Sequence, residues 1–511
     1  MTSNFSMTGN IFIFIYLALY VAFLIGVGIL AARKTKNMDD YATARKCYPW
    51  WVIGLIMPAT FASGSTFLGC GGMAYGIGFP AFWYFLGYPL AGYLGMSVLG
   101  RFTAALNRIG VRSIPEFLGK RYKSDGLRII AGCVIFGMLF LIAGQFVASA
   151  TILETLFGLD YRIGVVISAL LMLTYITIGG AHADFMTNTV QAIIMCIISL
   201  CCLGLFVNFV MGYGGLDAFA ERLANINPEL SPASIFNSSS GQYNGWFPVT
   251  MIFFSHFAYM FLPHFGIKMA GLDKVSDMPK AIILASIVGT GFVVFAPLPG
   301  LIGPIELPGL ARSDMAVPAM FQAFTPDWLS AFLIIGIFCA IMSTGAGIFV
   351  TLSQVTANDF YRLTFAPKWE HDAERVERTV KIITRITIFA VAIIGAAIVW
   401  TPPKYMTLFL WLGIGIVISG MVGPILIGMF WPKTTRTAAY VCAILGSALY
   451  VIMTVVLAWG GMTAAGISFI IGIVITYAVS KMTSDSMSPE YLRDIGFYSK
   501  QGYEAAIKEA K

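Results

Sequence analysis

The stretch MPATFASGSTFLGCGG, residues 57–72, interrupts one of the most apolar parts of the chain. Proline removes a backbone donor, and glycine and serine weaken a helix, so this composition predicts a broken helix. The same stretch carries a series of hydroxyl side chains, at Thr60, Ser63, Ser65 and Thr66. A break inside a bilayer is tolerated only where the backbone is buried in protein or lines a water-filled cavity. The stretch therefore predicts a binding site within a membrane-spanning segment.

The composition of the whole chain is that of a membrane protein. Of its 511 residues, 58% are hydrophobic and 11% are charged, whereas soluble domains carry roughly 25% charged residues. Runs of about 20 apolar residues are long enough to cross a bilayer as helices. We predict an all-α polytopic membrane protein with about 13 spans. They are expected near 10–32, 50–75, 82–105, 127–153, 162–180, 188–212, 246–270, 280–303, 329–357, 380–400, 405–430, 437–459 and 462–482.

The basic residues predict the orientation of these spans. Lys and Arg concentrate after spans 1, 3 and 9, at positions that include Arg33, Arg45, Arg112, Lys120, Arg362 and Arg375. The opposite loops hold only Arg162, Arg222, Arg312 and Lys404. Because basic loops stay cytoplasmic, we expect the N-terminus outside and the C-terminus inside, in an inner or plasma membrane. The net charge of +7 reflects this bias, so no nucleic-acid partner is expected.

Two spans are interrupted, and they occupy corresponding positions in two halves of the chain. The seventh span contains FAYMFLPHFGIKMAG, residues 257–271, with a break comparable to that of the second span. Broken helices at matching positions are typical of transporters built from inverted repeats. The alternative is that Pro and Gly are simply frequent in membrane helices. The predicted organisation is one transmembrane domain, 1–482, with a peripheral helix 10–32, repeats 48–213 and 246–430, peripheral helices 437–482, and a cytoplasmic tail 483–511.

Neutral oxygens could meet between the second and ninth spans. Ser343 and Thr344 follow Ala340 by three and four residues, so their hydroxyls and the Ala340 carbonyl share one helix face. An unwound second span would expose carbonyls near Ala59 and Ala62. Five such oxygens form a neutral cage that suits a hard monovalent cation. The alternative is that each hydroxyl only bonds to a carbonyl of its own helix.

Few ionisable side chains lie inside the spans, and such residues are functional candidates by default. His256, His264 and Lys268 lie in span 7, and Arg385 lies in span 10. Lys268 and Arg385 are near the predicted cytoplasmic ends, where snorkelling towards the interface is the simpler interpretation. For His264, a substrate role and a packing role remain open.

The motifs of the chain resemble those of the sodium/solute symporters, which include bacterial proline, pantothenate, sialic acid and galactose carriers. The resemblance covers nearly the whole chain, because the motifs occur in order and at family-like spacing. They are ATFASGSTFLGCGGMAYGIG (59–78), IGGAHADFMTNTVQ (178–191), LPHFGIKMA (262–270), AIMSTGAGIFVTLSQVTANDFYR (340–362) and IGMFWPKTT (427–435). The resemblance implies a five-plus-five inverted-repeat fold with flanking helices and sodium-driven uptake by alternating access.

The resemblance also implies the positions of the two binding sites. Sodium would lie between spans 2 and 9, on Ala59, Ala62, Ala340, Ser343 and Thr344, the same five residues that the oxygen argument selects. The solute would lie beside it, against Phe61, Ser63, Ser65, Thr66, Phe85, Tyr88, His256, Tyr259 and Trp411.

One motif departs from the family pattern. Many members have an acidic residue in a T-D-x-x-Q motif, and in some of them it supports a second sodium ion. The corresponding residue here is Asn188, which puts a second sodium site in doubt. Asp184, one helical turn earlier, is the possible substitute. The alternative is that Asp184 is an ordinary carboxylate that stabilises a helix N-terminus. We expect one sodium ion per solute.

Several stretches, among them TPPKYMTLFLWL, are closest to the pantothenate-type branch, so the expected solute is pantothenate or another monocarboxylate. A proline-like amino acid, sialic acid, a sugar and a proton-coupled carrier remain alternatives, and a channel or a transporter-derived sensor is the alternative from a different class. We do not expect an enzyme. The expected partners are the small solute, sodium and the lipid bilayer, with the monomer as the functional unit.

Overall fold

The computed structural model describes residues 7–34, 44–370, 372–402 and 406–498. Within these ranges the protein is built from helices without named β-strands. The last part of the predicted tail, 499–511, lies outside the described residues, as do the basic residues Lys36 and Lys404. The helices are α1 Met7–Lys34, α2 Trp50–Phe61, α3 Cys70–Ile77, α4 Phe82–Gly87, α5 Tyr93–Ile109, α6 Ile114–Arg121, α7 Asp125–Ile135, α8 Met138–Phe157, α9 Tyr161–Tyr213, α10 Leu216–Ile226, α11 Trp246–Tyr259, α12 Pro263–Ala270, α13 Met278–Phe295, α14 Leu298–Glu306, α15 Ala316–Phe324, α16 Asp327–Gln354, α17 Ala366–Trp369, α18 Ala373–Ile398, α19 Met406–Phe430, α20 Arg436–Val441, α21 Ser447–Val451, α22 Gly461–Met482 and α23 Pro489–Asp494.

The prediction of an all-α polytopic membrane fold is confirmed. Among the described residues, 9 helices are long and apolar enough to span a membrane, or up to 11 if each bent pair counts as one span. The exact count of 13 is not confirmed. The two further predicted spans coincide with the aromatic-rich run from α4 to α5 and with the shorter apolar helix 161–174.

The two predicted breaks are present as bends between half-helices. The segment from α2 to α3 bends by 57°, and the segment from α11 to α12 bends by 46°. The predicted spans 5 and 6 are two helices that meet at a kink inside α9, where a single residue takes the place of the expected loop. That residue is Gly180, which has the non-helical angles φ 54° and ψ −139°. Because glycine has no Cβ, it adopts this positive φ without strain and redirects the helix within one residue.

Helix α16 lies at the centre of the protein, since every residue from Leu333 to Gln354 is buried. Its small side chains allow close approach of its neighbours, as is usual for helices that pack in membranes. It contacts α2, α12 and the second part of α9, and α2 also contacts α9 and α12. The two bent segments therefore meet the most buried helix of the molecule, and the candidate site lies at this junction.

The loop after α10 packs over the end of α3. A Cβ added to Gly78, which has φ 76°, would clash with the backbone of Leu230. Asn237 Nδ2 donates to the Ile77 carbonyl at 3.3 Å, and Trp83 Nε1 donates to the Ile235 carbonyl at 2.9 Å. This loop therefore packs directly against the end of the first bent segment.

The described part of the predicted tail packs against α5 and α6. Tyr491 donates to the Lys120 carbonyl at 2.7 Å, and the Arg108 guanidinium donates to the Phe497 carbonyl at 3.0 Å. Phe497 also lies beside the buried Arg121 guanidinium, 5.2 Å from ring centroid to Cζ. Residues 483–498 therefore form part of the folded body.

Candidate functional site

The first break leaves polar backbone between α2 and α3. The Ser63 amide donates to Thr66 Oγ1 at 3.2 Å, and the Gly64 amide donates to Gln145 Oε1 at 3.4 Å. Ser63 Oγ and Ser65 Oγ lie 2.8 Å apart. Buried backbone groups need partners, and here side chains supply them.

The oxygens predicted for the cation come together beside this break. Ser343 donates to the Ala59 carbonyl at 2.6 Å and contacts the Ala340 carbonyl at 2.8 Å. Thr344 donates to the Thr60 carbonyl at 3.0 Å and lies 3.5 Å from the Ala340 carbonyl. Both hydroxyls are fully buried. The hydroxyls thus join α16 to the end of α2 across helices, which a hydroxyl bonded only within its own helix would not do.

The fifth predicted ligand, Ala62, lies at the C-cap of α2. Its backbone is extended, with φ −70° and ψ 109°, and its amide donates to the Pro58 carbonyl at 2.8 Å. The residue that lies nearest Thr344 on this segment is Thr60, which the sequence did not indicate as a ligand. Sequence spacing does not reveal which carbonyl of an unwound segment turns towards a neighbouring helix.

A small cavity lies beside the oxygen cluster. Its wall contains six of the nine residues predicted to bind the solute, together with Tyr84, Leu141, Leu410 and Ile414; the six are Phe61, Ser63, Ser65, His256, Tyr259 and Trp411. The cavity volume is about 10 Å³, which is room for about one water molecule. An organic solute can occupy this place only after the walls move apart.

The other three predicted solute residues lie behind this wall. Thr66 accepts the Ser63 amide and so stabilises the turn. Tyr88 packs on Phe61 with ring centroids 4.2 Å apart, and Phe85 packs on Phe82 at 4.9 Å. Thr66 and Tyr88 therefore contact wall residues without lining the cavity themselves.

The snorkelling interpretation of Lys268 is wrong, because its side chain points inwards. Only 1% of the side chain is exposed, and Nζ lies 3.3 Å from Asp184 Oδ2. It also donates to Thr60 Oγ1 at 2.5 Å. Asp184 in turn accepts a hydrogen bond from Asn188 Nδ2 at 3.0 Å. A buried ammonium needs a partner of opposite charge, and Asp184 provides it; Arg385, by comparison, is exposed.

Two further polar residues of the site were missed from the sequence. Tyr84 stands in the cavity wall, 4.8 Å from His256 between ring centroids. Gln145 is fully buried in α8 and reaches the first break. The signal for Gln145 was available, since an amide inside an otherwise apolar span is costly without a partner. Tyr84 had no such signal, because aromatic residues are frequent throughout this chain.

An all-helical membrane fold with two bent half-helix pairs, and with an oxygen cluster and a small cavity at the first bend, defines a secondary transporter. The profile of the sodium:solute symporter family matches residues 41–446. The chain belongs to this family, as its motifs predicted. It is therefore a sodium-coupled symporter, a multi-pass protein of the plasma membrane and a member of a transporter family.

The chain is similar to curated relatives over nearly its full length. It is 27% identical over 497 residues to the sodium/proline symporter of Staphylococcus aureus strain bovine RF122 / ET3-1, covering 92% of each chain. The sodium/proline symporter of strain USA300 / TCH1516 is also 27% identical, with the same coverage.

Solved structures show the same fold. A Na+-coupled sialic acid symporter in a substrate-bound, outward-open state superposes with a TM-score of 0.75 at 16% identity, covering 95% of this chain and 100% of that one. A nucleobase-cation-symport-1 family transporter in a closed conformation superposes with a TM-score of 0.53 at 12% identity, covering 90% of this chain and 99% of that one. The inverted-repeat transporter core with flanking helices is thereby confirmed.

Proposed function

We propose that the protein takes up a small organic carboxylate, such as pantothenate or another monocarboxylate, together with sodium by alternating access. The observation that carries this proposal is the polar edge of the cavity, where the Ser63 and Ser65 hydroxyls stand on a broken helix. Freed amides and hydroxyls at a half-helix end can hold a carboxylate without a lysine. No Asp, Glu, Lys or Arg belongs to the cavity wall in the described part of the chain. The apolar side chains of the wall suit a short carbon skeleton.

The proposed sodium ligands are the carbonyls of Ala59, Ala62 and Ala340 and the hydroxyls of Ser343 and Thr344. Their support is the geometry of the hydroxyls, which already reach across from α16 to the carbonyl end of α2. A cation between them would replace contacts among oxygens with contacts to the ion. Because all five ligands are neutral, the cluster favours a monovalent over a divalent cation. We propose one sodium ion per solute, with Asn188 in place of a second carboxylate near the cage.

A proline-like amino acid is the second candidate, and His256 favours it. Its Nδ1 lies 2.8 Å from the Ile252 carbonyl, so this nitrogen carries the proton and donates. In a neutral imidazole Nε2 is then an acceptor, and it has no hydrogen-bond partner among the described residues. An ammonium or amide N–H of a bound solute would satisfy it. The relatives named sodium/proline symporters support the same candidate.

The basic loops support an orientation with the N-terminus outside and the C-terminus in the cytoplasm.

The buried side of α1 packs on α9 and α16 of the same chain. We propose that one chain completes both binding sites and acts as a monomer.

The test is the melting temperature of the purified protein against pantothenate, lactate, proline, sialic acid and galactose, each in sodium and in potassium. A ligand of the folded state raises the melting temperature by mass action. We expect pantothenate or lactate to stabilise the protein only when sodium is present, whereas sodium-dependent stabilisation by proline alone would favour the second candidate. Stabilisation by galactose alone would refute the carboxylate class, and stabilisation that is equal in both salts would refute sodium coupling at this site and favour a proton-coupled carrier.

A further inference from the structure

A second cluster of buried oxygens lies directly behind the proposed sodium cage. Asp184 Oδ2 and Thr60 Oγ1 both contact the Lys268 ammonium, at 3.3 Å and 2.5 Å. The Thr60 hydroxyl uses its proton on the Ile56 carbonyl at 2.7 Å, so it presents a lone pair to the ammonium. All these side chains are at most 3% exposed. The ammonium therefore lies where a cation is held by oxygen ligands.

Asn188 completes this cluster. Its Nδ2 donates to Asp184 Oδ1 at 3.0 Å and lies 3.5 Å from the Ser343 carbonyl. Its Oδ1 is fully buried and has no hydrogen-bond partner among the described residues. A buried unsatisfied acceptor is costly, and an oxygen of this kind is a ready ligand for a hard cation.

We propose that Asp184, Asn188 and Thr60 form a second cation site, that the Lys268 ammonium permanently occupies it, and that this built-in cation is the reason for a single transported sodium ion. The proposal rests on the proposed function, since it presupposes sodium at the Ser343 and Thr344 cage. It assigns to Lys268 a role that the sequence alone did not suggest.

The electrostatic argument compares the cluster with and without its ammonium. A lone carboxylate buried in a membrane protein is strongly unfavourable. The Lys268 side chain compensates it without an ion from solution. When the ammonium is removed, Asp184 and the oxygens of Asn188 and Thr60 remain as an anionic oxygen site. Such a site should recruit the cation that is abundant in the medium.

The two cation positions share a backbone segment and a helix. Thr60 holds the ammonium through its hydroxyl and contacts Thr344 through its carbonyl. Asn188 contacts the Ser343 carbonyl. Thr60 thus connects the built-in cation to the proposed sodium ligands. We expect the ammonium to fix the position of the Thr60 carbonyl beside the sodium cage.

The experiment is the sodium dependence of solute uptake by the full-length protein in proteoliposomes, with equilibrium binding of radioactive sodium as a second readout. For the wild type we expect a Hill coefficient of about one, and for Lys268→Met a rise towards about two, because the coefficient is bounded by the number of sites. The double variant Asp184→Asn, Lys268→Met loses both charges and should return to about one. Lys268→Arg retains the charge and should also stay near one. Lys280→Met, which changes an exposed lysine paired with Asp277, is the matched control.

A folded Lys268→Met variant that binds one sodium ion would overturn the proposal, since a proton would then have neutralised Asp184. If Lys268→Met is unstable in potassium, sodium should raise its melting temperature more than it raises that of the double variant. Failure to recover folded Lys268→Met in high sodium would likewise contradict the proposal. The proposed function fails separately, because wild-type protein would then show no sodium-dependent binding at all.

Discussion

The two helix breaks differ in how their backbone groups are satisfied. In the first, the amides of Ser63 and Gly64 bond to side chains, one of which belongs to another helix. In the second, the amides of Phe261 and Leu262 bond to carbonyls three residues earlier, at 3.0 Å and 3.1 Å. The second break is thus a turn closed on itself, whereas the first depends on side chains brought by the rest of the fold.

The difference indicates that the two bends have different roles, although their angles of 57° and 46° are similar. A break that relies on outside partners can exchange them for an ion or a solute. A break that satisfies its own amides keeps its geometry and serves as a joint between two rigid pieces. We therefore expect changes at the first break to affect binding and changes at the second to affect rates.

The largest effect is expected from Ser343→Ala, Thr344→Ala. The double variant removes both hydroxyls that reach the first break, and we expect sodium-driven uptake to be abolished. Even changes around the ligands of a bound metal cost about 10–100-fold in affinity, so the loss of two ligands should exceed about 100-fold. Uptake against sodium concentration measures it.

The matched control is Thr351→Ala on the same helix. Thr351 is buried and donates to the Gly347 carbonyl at 2.8 Å, within its own helix. It should retain sodium dependence. If the well-folded double variant keeps the sodium dependence of the wild type, Ser343 and Thr344 do not belong to the site.

A smaller effect is expected from Gln145→Ala. The change leaves the buried Gly64 amide without its acceptor, which costs about 1–3 kcal/mol. Sodium or solute affinity should fall by about tenfold, as measured by titration of the melting temperature. Ser149→Ala, one turn further along α8, removes a buried hydroxyl that has no partner among the described residues and should have little effect. Equal effects of the two substitutions would argue against a special role for the first break.

Pro263→Ala tests whether the second break acts as a joint that affects rates and not binding. Proline at the start of α12 fixes φ for the helix. Its loss gives the joint more conformational freedom in the folded carrier, and we take the size of this effect, about 0.4–1 kcal/mol, from the entropic effect of proline substitutions. The turnover rate should fall about threefold or less, while the sodium concentration for half-maximal uptake stays unchanged. A large change in that concentration would contradict the assignment of the second break as a joint.

The smallest effect concerns the second half-helix of the first bent segment, α3, where Gly72 packs against Asp314. Burial raises the pKa of Asp314 above its ordinary value of 3.8, and Arg312 partly opposes this. A carboxyl whose pKa is raised by folding stabilises the fold when protonated, and this contribution is lost as the pH rises through the folded pKa. Asp314→Asn should therefore melt about 1–2 °C higher than the wild type near pH 8, with the gap closing in acid. Asp217→Asn, at an exposed position, is the control. A difference in melting temperature between Asp314→Asn and the wild type that grows in acid would contradict this prediction.

Much of the fold could be predicted from the sequence, because the length of an apolar run indicates a membrane helix. Pro, Gly and hydroxyl residues within such a run indicate a break in the helix. Ser343 and Thr344 were selected by helical periodicity alone, and the structure brings both to α2. The one-residue kink at Gly180 was not predicted. The predicted spans leave residues 181–187 outside any helix, whereas one glycine suffices for the bend.

The partner of Lys268 could not be predicted. Its position near a span end favoured snorkelling, and the choice between water and a buried carboxylate depends on which face α12 turns to α9. Asp184 lies 84 residues away in sequence, so the pair exists only after the two halves have packed. The identity of the solute is subject to the same limit, because the cavity wall combines residues from α2, α4, α8, α11 and α19.

The small size of the cavity limits the leak of ions through the carrier. A space of about 10 Å³ holds about one water molecule, so the empty carrier encloses no continuous file of water at this point. Protons and sodium ions then have no hydrated path through this cavity, so we expect a carrier in this conformation not to dissipate the gradient that drives it. A current recorded without solute in a planar bilayer should therefore remain at the level of the protein-free membrane.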